Sequence, residues 1–167
     1  MKRITILAAA AIAFPAFADG PHFHADLVSY NEVPSVVSTG RGTFSARTAG
    51  DWNSVDWELT FDGLQAPVTQ AHIHLAQRGV NGPIIVWLCG TAALPGPAGT
   101  APCPQSGTVH GTFTAANVAA SPASQQLAQG QIGDFIQALD AGFGYANVHT
   151  TVSGGGEIRG QINPPKN

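Results

Sequence analysis

The chain has 167 residues and a mass of 17.1 kDa, which is one domain and one core. Only 10% of the residues are charged while 20 are Gly and 12 are Pro, so long charged helices and coiled coils are excluded. The formal net charge is −3 and Lys2 and Lys166 are the only lysines, which removes the basic stripe that a phosphate-backbone partner requires, so no nucleic acid is expected.

Residues 1–18 read as a signal peptide. Lys2 and Arg3 form a basic start, Ile4 to Phe14 is apolar, and Ala16-Phe17-Ala18 is a small-residue cleavage site. The apolar stretch is shorter than the ~20 residues of a bilayer span and runs into Pro15. Cleavage before Asp19 would release an acidic protein, residues 19–167, with no membrane span, to the periplasm or the medium.

From there the sequence alternates with a period of two. Phe23, Ala25 and Leu27 share one strand face. Val55, Trp57, Leu59 and Phe61 alternate with Ser54, Asp56, Glu58 and Thr60, the pattern of a half-buried antiparallel strand. Ala71, Ile73 and Leu75 form a third face, and the continuous apolar run Ile84 to Leu88 predicts a central strand. Val109 and Phe113, Ala146 and Val148, and Ile158 and Ile162 repeat the alternation. Ile132, Phe135, Ile136 and Leu139 instead follow helical spacing and predict one short amphipathic helix packed across an end of the sheets. The expected fold is all-β: an antiparallel, Greek-key-like sandwich or flattened barrel of about eight strands with one short helix.

Cys89 and Cys103 bracket a Gly-, Pro- and Thr-rich loop, and in an oxidising compartment two such thiols pair as a disulfide. Thiolate ligation of a metal would need a second cysteine pair or a reducing compartment.

The same alternation places the histidines. If Ala71, Ile73 and Leu75 point inward, His72 and His74 point outward together. Parity likewise turns His24, His110 and His149 outward, so none of these five is expected in a core. His-x-His occurs twice, at 22/24 and 72/74, where chance predicts roughly 0.2 pairs. Two imidazoles on one strand face converge on a divalent ion, and neutral imidazole suits Cu, Zn and Ni. The bland reading is a set of solvated polar positions. Glu157 and Arg159 share the outward phase of the last strand and are expected as a surface ion pair, while Asn147, on the face of His149, is placed to orient it by a hydrogen bond. Asn31 to Pro34 predicts a turn.

Asn31-Glu32-Val33-Pro34, Ala71-His72-Ile73-His74, Asn81-Gly82-Pro83, Ala146-Asn147-Val148-His149-Thr150 and Gly156-Glu157-Ile158-Arg159-Gly160-Gln161-Ile162, in this order over Phe23 to Ile162, resemble the chordin (CHRD) domain family. The resemblance implies the fold but no activity. The chain is also similar, more distantly, to copper-zinc superoxide dismutase, in which one strand's His-x-His pair and a later histidine hold copper. His72 and His74 match the pair and His149 the later ligand. The bridging histidine and the zinc loop have no match, and the disulfide lies within one loop, so dismutase chemistry is a minor expectation and the protein leans away from being an enzyme. The resemblance therefore implies a site of His72, His74 and His149 for Cu(II) or Zn(II), copper first, with His24, His110 or His22 as a fourth ligand. Met1 is the only Met, so soft sulfur ligation is excluded, and Pro21 lacks the N–H that an amino-terminal copper clamp deprotonates. No nucleophile elbow accompanies the Ser, His and Asp residues, and Gly154 to Gly156 precede a strand, not a phosphate-cradling helix. Two readings remain open: an exported metal buffer or carrier, and a module that binds an extracytoplasmic protein without metal.

Overall fold

A computed structural model describes residues 20–163; the expected signal peptide and Lys166 lie outside them. Among the described residues the strands are β1 (His22–Val28), β2 (Arg41–Thr48), β3 (Ser54–Asp62), β4 (Val68–Leu75), β5 (Ile84–Gly90), β6 (Ala101–Pro102), β7 (Gly107–Thr114), β8 (Gly144–Thr150) and β9 (Ile158–Ile162), with one α-helix, α1 (Ile132–Asp140). They form a single nine-stranded sheet in the order β6-β5-β4-β8-β9-β1-β2-β3-β7. All pairings are antiparallel except β5 with the two-residue β6. The sheet curls until β5 and β7 line the two sides of one cavity, so the architecture is a nearly closed flattened barrel.

Alternation predicts the inner face correctly. Phe23, Ala25 and Leu27 on β1, Val55, Trp57, Leu59 and Phe61 on β3, and Ala71, Ile73 and Leu75 on β4 are all buried. Burying the Phe, Leu, Val and Ile side chains among them stabilises the fold by roughly 1.5–3 kcal/mol each. The helix buries the predicted stripe, Ile132, Phe135, Ile136 and Leu139, and Phe135 meets Phe113 of β7 at a ring separation of 6.2 Å. Leu139 presses on Gly144, where a Cβ would collide with it. Cys89 and Cys103 are disulfide-bonded and tie β5 to the segment after β6. The run Ile84 to Leu88 is not central: it lies one strand from the end of the sheet, and its apolar character reflects the curling that brings β5 opposite β7.

The outer face departs from expectation on three strands. β1 and β7 keep an exposed face, but β8 and β9 are buried at every residue and β4 from Ala71 to Leu75. Three connecting segments roof this second face. The segment after β1 opens with a 3-10 turn at Ser29–Asn31, and Asn31 Nδ2 donates to Arg159 O at 3.2 Å. The β4–β5 loop is joined to it by Asn81 Nδ2 donating to Val33 O at 2.9 Å. The β8–β9 loop closes by backbone bonds from Gly156 and Thr150 to Ser153 O. A face that is outward by parity is thus interior by coverage. No helix among the described residues is long and apolar enough to cross a membrane.

Candidate metal centre

Three of the five histidines expected at the surface sit under this roof. His72 and His74 stand on β4 and are 0% and 7% exposed; His149 stands on β8 and is 5% exposed. The β4–β8 register pairs His72 with Asn147 and Gln70 with His149, which sets His149 diagonally across from His72. Ring centroids are 4.9 Å apart for His72 and His149, 5.4 Å for His72 and His74, and 6.2 Å for His74 and His149. One nitrogen from each ring falls within 4.8 Å of the others. The β4–β5 ladder is irregular just before each of the two β4 histidines, between Ala71 and His72 and between Ile73 and His74, a device that re-aims side chains beside sites.

Backbone carbonyls set the tautomers. His74 Nδ1 lies 2.9 Å from Gly82 O, and His149 Nδ1 lies 3.0 Å from Gly154 O. A carbonyl only accepts, so both Nδ1 atoms carry the proton and both Nε2 atoms carry a lone pair. His149 Nε2 is 3.1 Å from His72 Nδ1 and accepts its proton, while His74 Nε2 and His72 Nε2 are buried with no hydrogen-bond partner. Burial keeps the rings neutral. It pushes His72 down to about 2 and His74 down to about 4, with His149 adding to both, and burial also lowers His149 itself. Neutral imidazoles with directed lone pairs are the form that ligates a metal.

Aromatic rings wall the site. Trp87 of β5 meets the His72 ring edge-on at 4.3 Å, and Tyr145 of β8 stacks on His74 at 4.7 Å with the planes 2° apart. Asn147 Oδ1 is 3.0 Å from His149 Nε2. On its other side the amide meets Glu32, and Gly156, at φ 122°, is needed there because a Cβ would run into Glu32 Oε1 and Asn147 Nδ2. Glu32 was not among the candidates read from the sequence. It is 4% exposed, its Oε1 has no partner, and burial raises its carboxyl to about 7 against the pull of Arg159. The signal for it was an acid placed just before Val33-Pro34, the one charge in that turn.

Residues 23–162 match the sequence model of the CHRD domain. The chain belongs to the CHRD family. No curated protein and no solved structure matches it. Within this CHRD domain the remaining histidines stay on the surface and away from the triad. His24 pairs with Asp26 at 3.1 Å, and His22 and His110 share an open depression with Asp56 and Glu58. None of the three joins His72, His74 and His149 in the cluster. The expected surface ion pair is also corrected, because the roof buries both residues. Glu157 accepts hydrogen bonds from Gln65 N at 2.8 Å and Thr150 Oγ1 at 2.9 Å. Arg159 donates to Asn81 Oδ1 at 3.1 Å and to Val80 O at 2.7 Å, and its guanidinium lies 3.4 Å above the Tyr145 ring.

Proposed function

We propose that this CHRD protein is exported and binds one Cu(II) or Zn(II) per chain through His72, His74 and His149, serving as a metal buffer or carrier. The observation that carries the reading is the pair of buried, unpartnered nitrogens, His72 Nε2 and His74 Nε2, beside a ring whose tautomer is fixed by Gly154 O. An unsatisfied buried polar atom costs about 1–3 kcal/mol, and a cation at the cluster would remove that cost where a core of packed apolar side chains would never incur it.

The donor set fits a borderline metal. Three imidazoles without a thiolate suit Cu(II) and Zn(II), and the affinity order for first-row divalent ions favours copper, as does the likeness to copper-zinc superoxide dismutase. Bound copper supplies a one-electron couple and bound zinc a Lewis acid. The chain's own contribution is to hold His74 and His149 through Gly82 O and Gly154 O and to exclude water with Trp87 and Tyr145. With His22, His24 and His110 distant, a fourth position would go to water or an exogenous ligand.

Elemental analysis of protein purified from the exported fraction without added metal tests the reading, beside a His72→Ala, His74→Ala double variant. About one equivalent of copper or zinc in the wild type and none in the variant is expected. Equal, substoichiometric metal in both would return the protein to the alternative of a metal-free protein-binding module.

A further inference from the structure

The sheet curls almost into a barrel, and the gap it leaves lies between β5 and β7. On that side β5 is paired with β6 at Cys89 and Gly90 alone, and the outer edge of β7 has no partner strand among the described residues. A cavity of about 350 Å³ occupies the gap, within the size range of small-molecule sites and at the kind of barrel opening where they occur. The Cys89–Cys103 disulfide tethers the loop that forms one wall, so that wall is braced covalently.

Two indoles reach this cavity with their N–H groups unused. Trp57 is 7% exposed and passes under Gly111 of β7, where a Cβ would stand 2.9 Å from its Cζ2 and 3.4 Å from its Nε1. Trp87 reaches the cavity from β5. A buried indole N–H usually finds a hydrogen-bond partner. Neither of these has one among the described residues, and neither is sealed from solvent. Asn117, exposed on the same wall, adds a third donor. Its Oδ1 accepts from Thr114 N at 2.9 Å and from Thr114 Oγ1 at 3.3 Å, which fixes the amide and leaves Nδ2 free to donate.

The rest of the wall sets the character of a ligand. No Asp, Glu, Lys or Arg lines it and His110 is its one titratable side chain, so nothing there selects an anion or a cation by charge. Thr100 Oγ1 donates to Pro97 O at 2.7 Å and keeps its lone pairs for an incoming donor, and the exposed Gln129 amide offers both polarities. Carbon surface comes from the half-buried Trp87 ring and from exposed Pro97 and Ala116. Such a wall matches an uncharged molecule that accepts and donates hydrogen bonds around a carbon skeleton.

We propose that this cavity binds a neutral saccharide, its oxygens accepting from Trp57 Nε1, Trp87 Nε1 and Asn117 Nδ2 and its hydroxyls donating to Thr100 and Gln129. A free monosaccharide and the end unit of a glycan share this chemistry. None of His72, His74 and His149 lines the cavity, so the site does not rest on the metal reading, although Trp87 belongs to the walls of both.

Calorimetric titration of the metal-free protein at pH 7 with glucose, N-acetylglucosamine, cellobiose and diacetylchitobiose is the test, with glucuronate as the charged probe and phenol as the apolar one. One-to-one binding of at least one sugar is expected, with glucuronate and phenol at least several-fold weaker. A monomer as tight as its dimer identifies a free sugar, and a tighter dimer a glycan end. Trp87→Phe keeps a ring against His72 and deletes the N–H, while Asn117→Asp keeps the acceptor that Thr114 uses and deletes the donor. Each should weaken the preferred sugar about fivefold, the scale of one hydrogen bond. Arg41→Gln, away from the cavity, should leave it unchanged. The proposal is overturned if no sugar binds with a dissociation constant of about 10 mM or below, if glucuronate or phenol binds as tightly as the best sugar, or if both variants bind that sugar as the wild type does.

Discussion

Glu32→Gln removes a carboxyl that the fold buries beside Asn147, and its effect on stability has a sign that can be worked out in advance. The Glu32 carboxyl titrates at about 7 in the folded protein against an ordinary value of 4.5. Between these values the unfolded chain has lost its proton and the folded chain retains it. The carboxyl's contribution is therefore fully present below pH 4.5 and is lost as pH rises through about 7. At about 1.4 kcal/mol per pH unit the gap is worth about 3 kcal/mol. The histidines tilt the other way: His74, ordinarily at 6.5 and at about 4 when folded, costs stability as pH falls below 6.5. The wild-type curve alone is thus a sum of opposing slopes, and the difference between wild type and Glu32→Gln isolates the carboxyl. Urea unfolding of both metal-free proteins from pH 4.5 to 8 should show the wild type losing about 3 kcal/mol relative to the variant, with the drift ending above pH 7. A difference constant to within about 0.5 kcal/mol over that range, the error of additive bookkeeping, would refute the burial of an ionisable carboxyl at this position.

Metal affinity should persist below pH 6.5, where surface histidines fail as ligands, because burial already holds His74 neutral to about 4 and His72 to about 2; competition with a chromophoric chelator at pH 7, 6 and 5 measures this. Gly156→Ala should destabilise by about 2 kcal/mol in urea, from the positive φ alone, with the new Cβ also running into Glu32 Oε1 and Asn147 Nδ2. Replacing Cys89 and Cys103 together by Ser should cost about 3 kcal/mol through the reopened loop, and the denatured wild type should show no titratable thiol.

The inner face of the barrel was legible because the residues that build it obey period two: Val55 to Phe61 and Ala71 to Leu75 lie as their alternation requires, and Ile132 to Leu139 as period 3.6 requires. Spacing also put His72 and His74 on one face, while only the resemblance brought His149 to them. What period two cannot express is coverage. Parity says which side of a strand a residue takes, and that side became interior on β4, β8 and β9 because loops at 29–36, 76–83 and 151–156 lie across it. Those loops carry no periodic signal, so His72, Glu157 and Arg159 were read as surface residues. Glu32 was hidden for the same reason: it belongs to the roof, and its burial depends on Gly156 and Asn147, more than a hundred positions away. The irregular register at His72 and His74 needs a partner strand before it exists at all.

The central claim is that three buried imidazoles of this CHRD domain act as one ligand set, and electron paramagnetic resonance of the protein loaded with one equivalent of Cu(II) tests it most directly. The account predicts a single copper species with superhyperfine coupling to three imidazole nitrogens, reduced to two in His149→Ala while the circular dichroism of that variant stays β-type. A hydrated-copper signal, or a nitrogen count unchanged by the loss of His149, would contradict it.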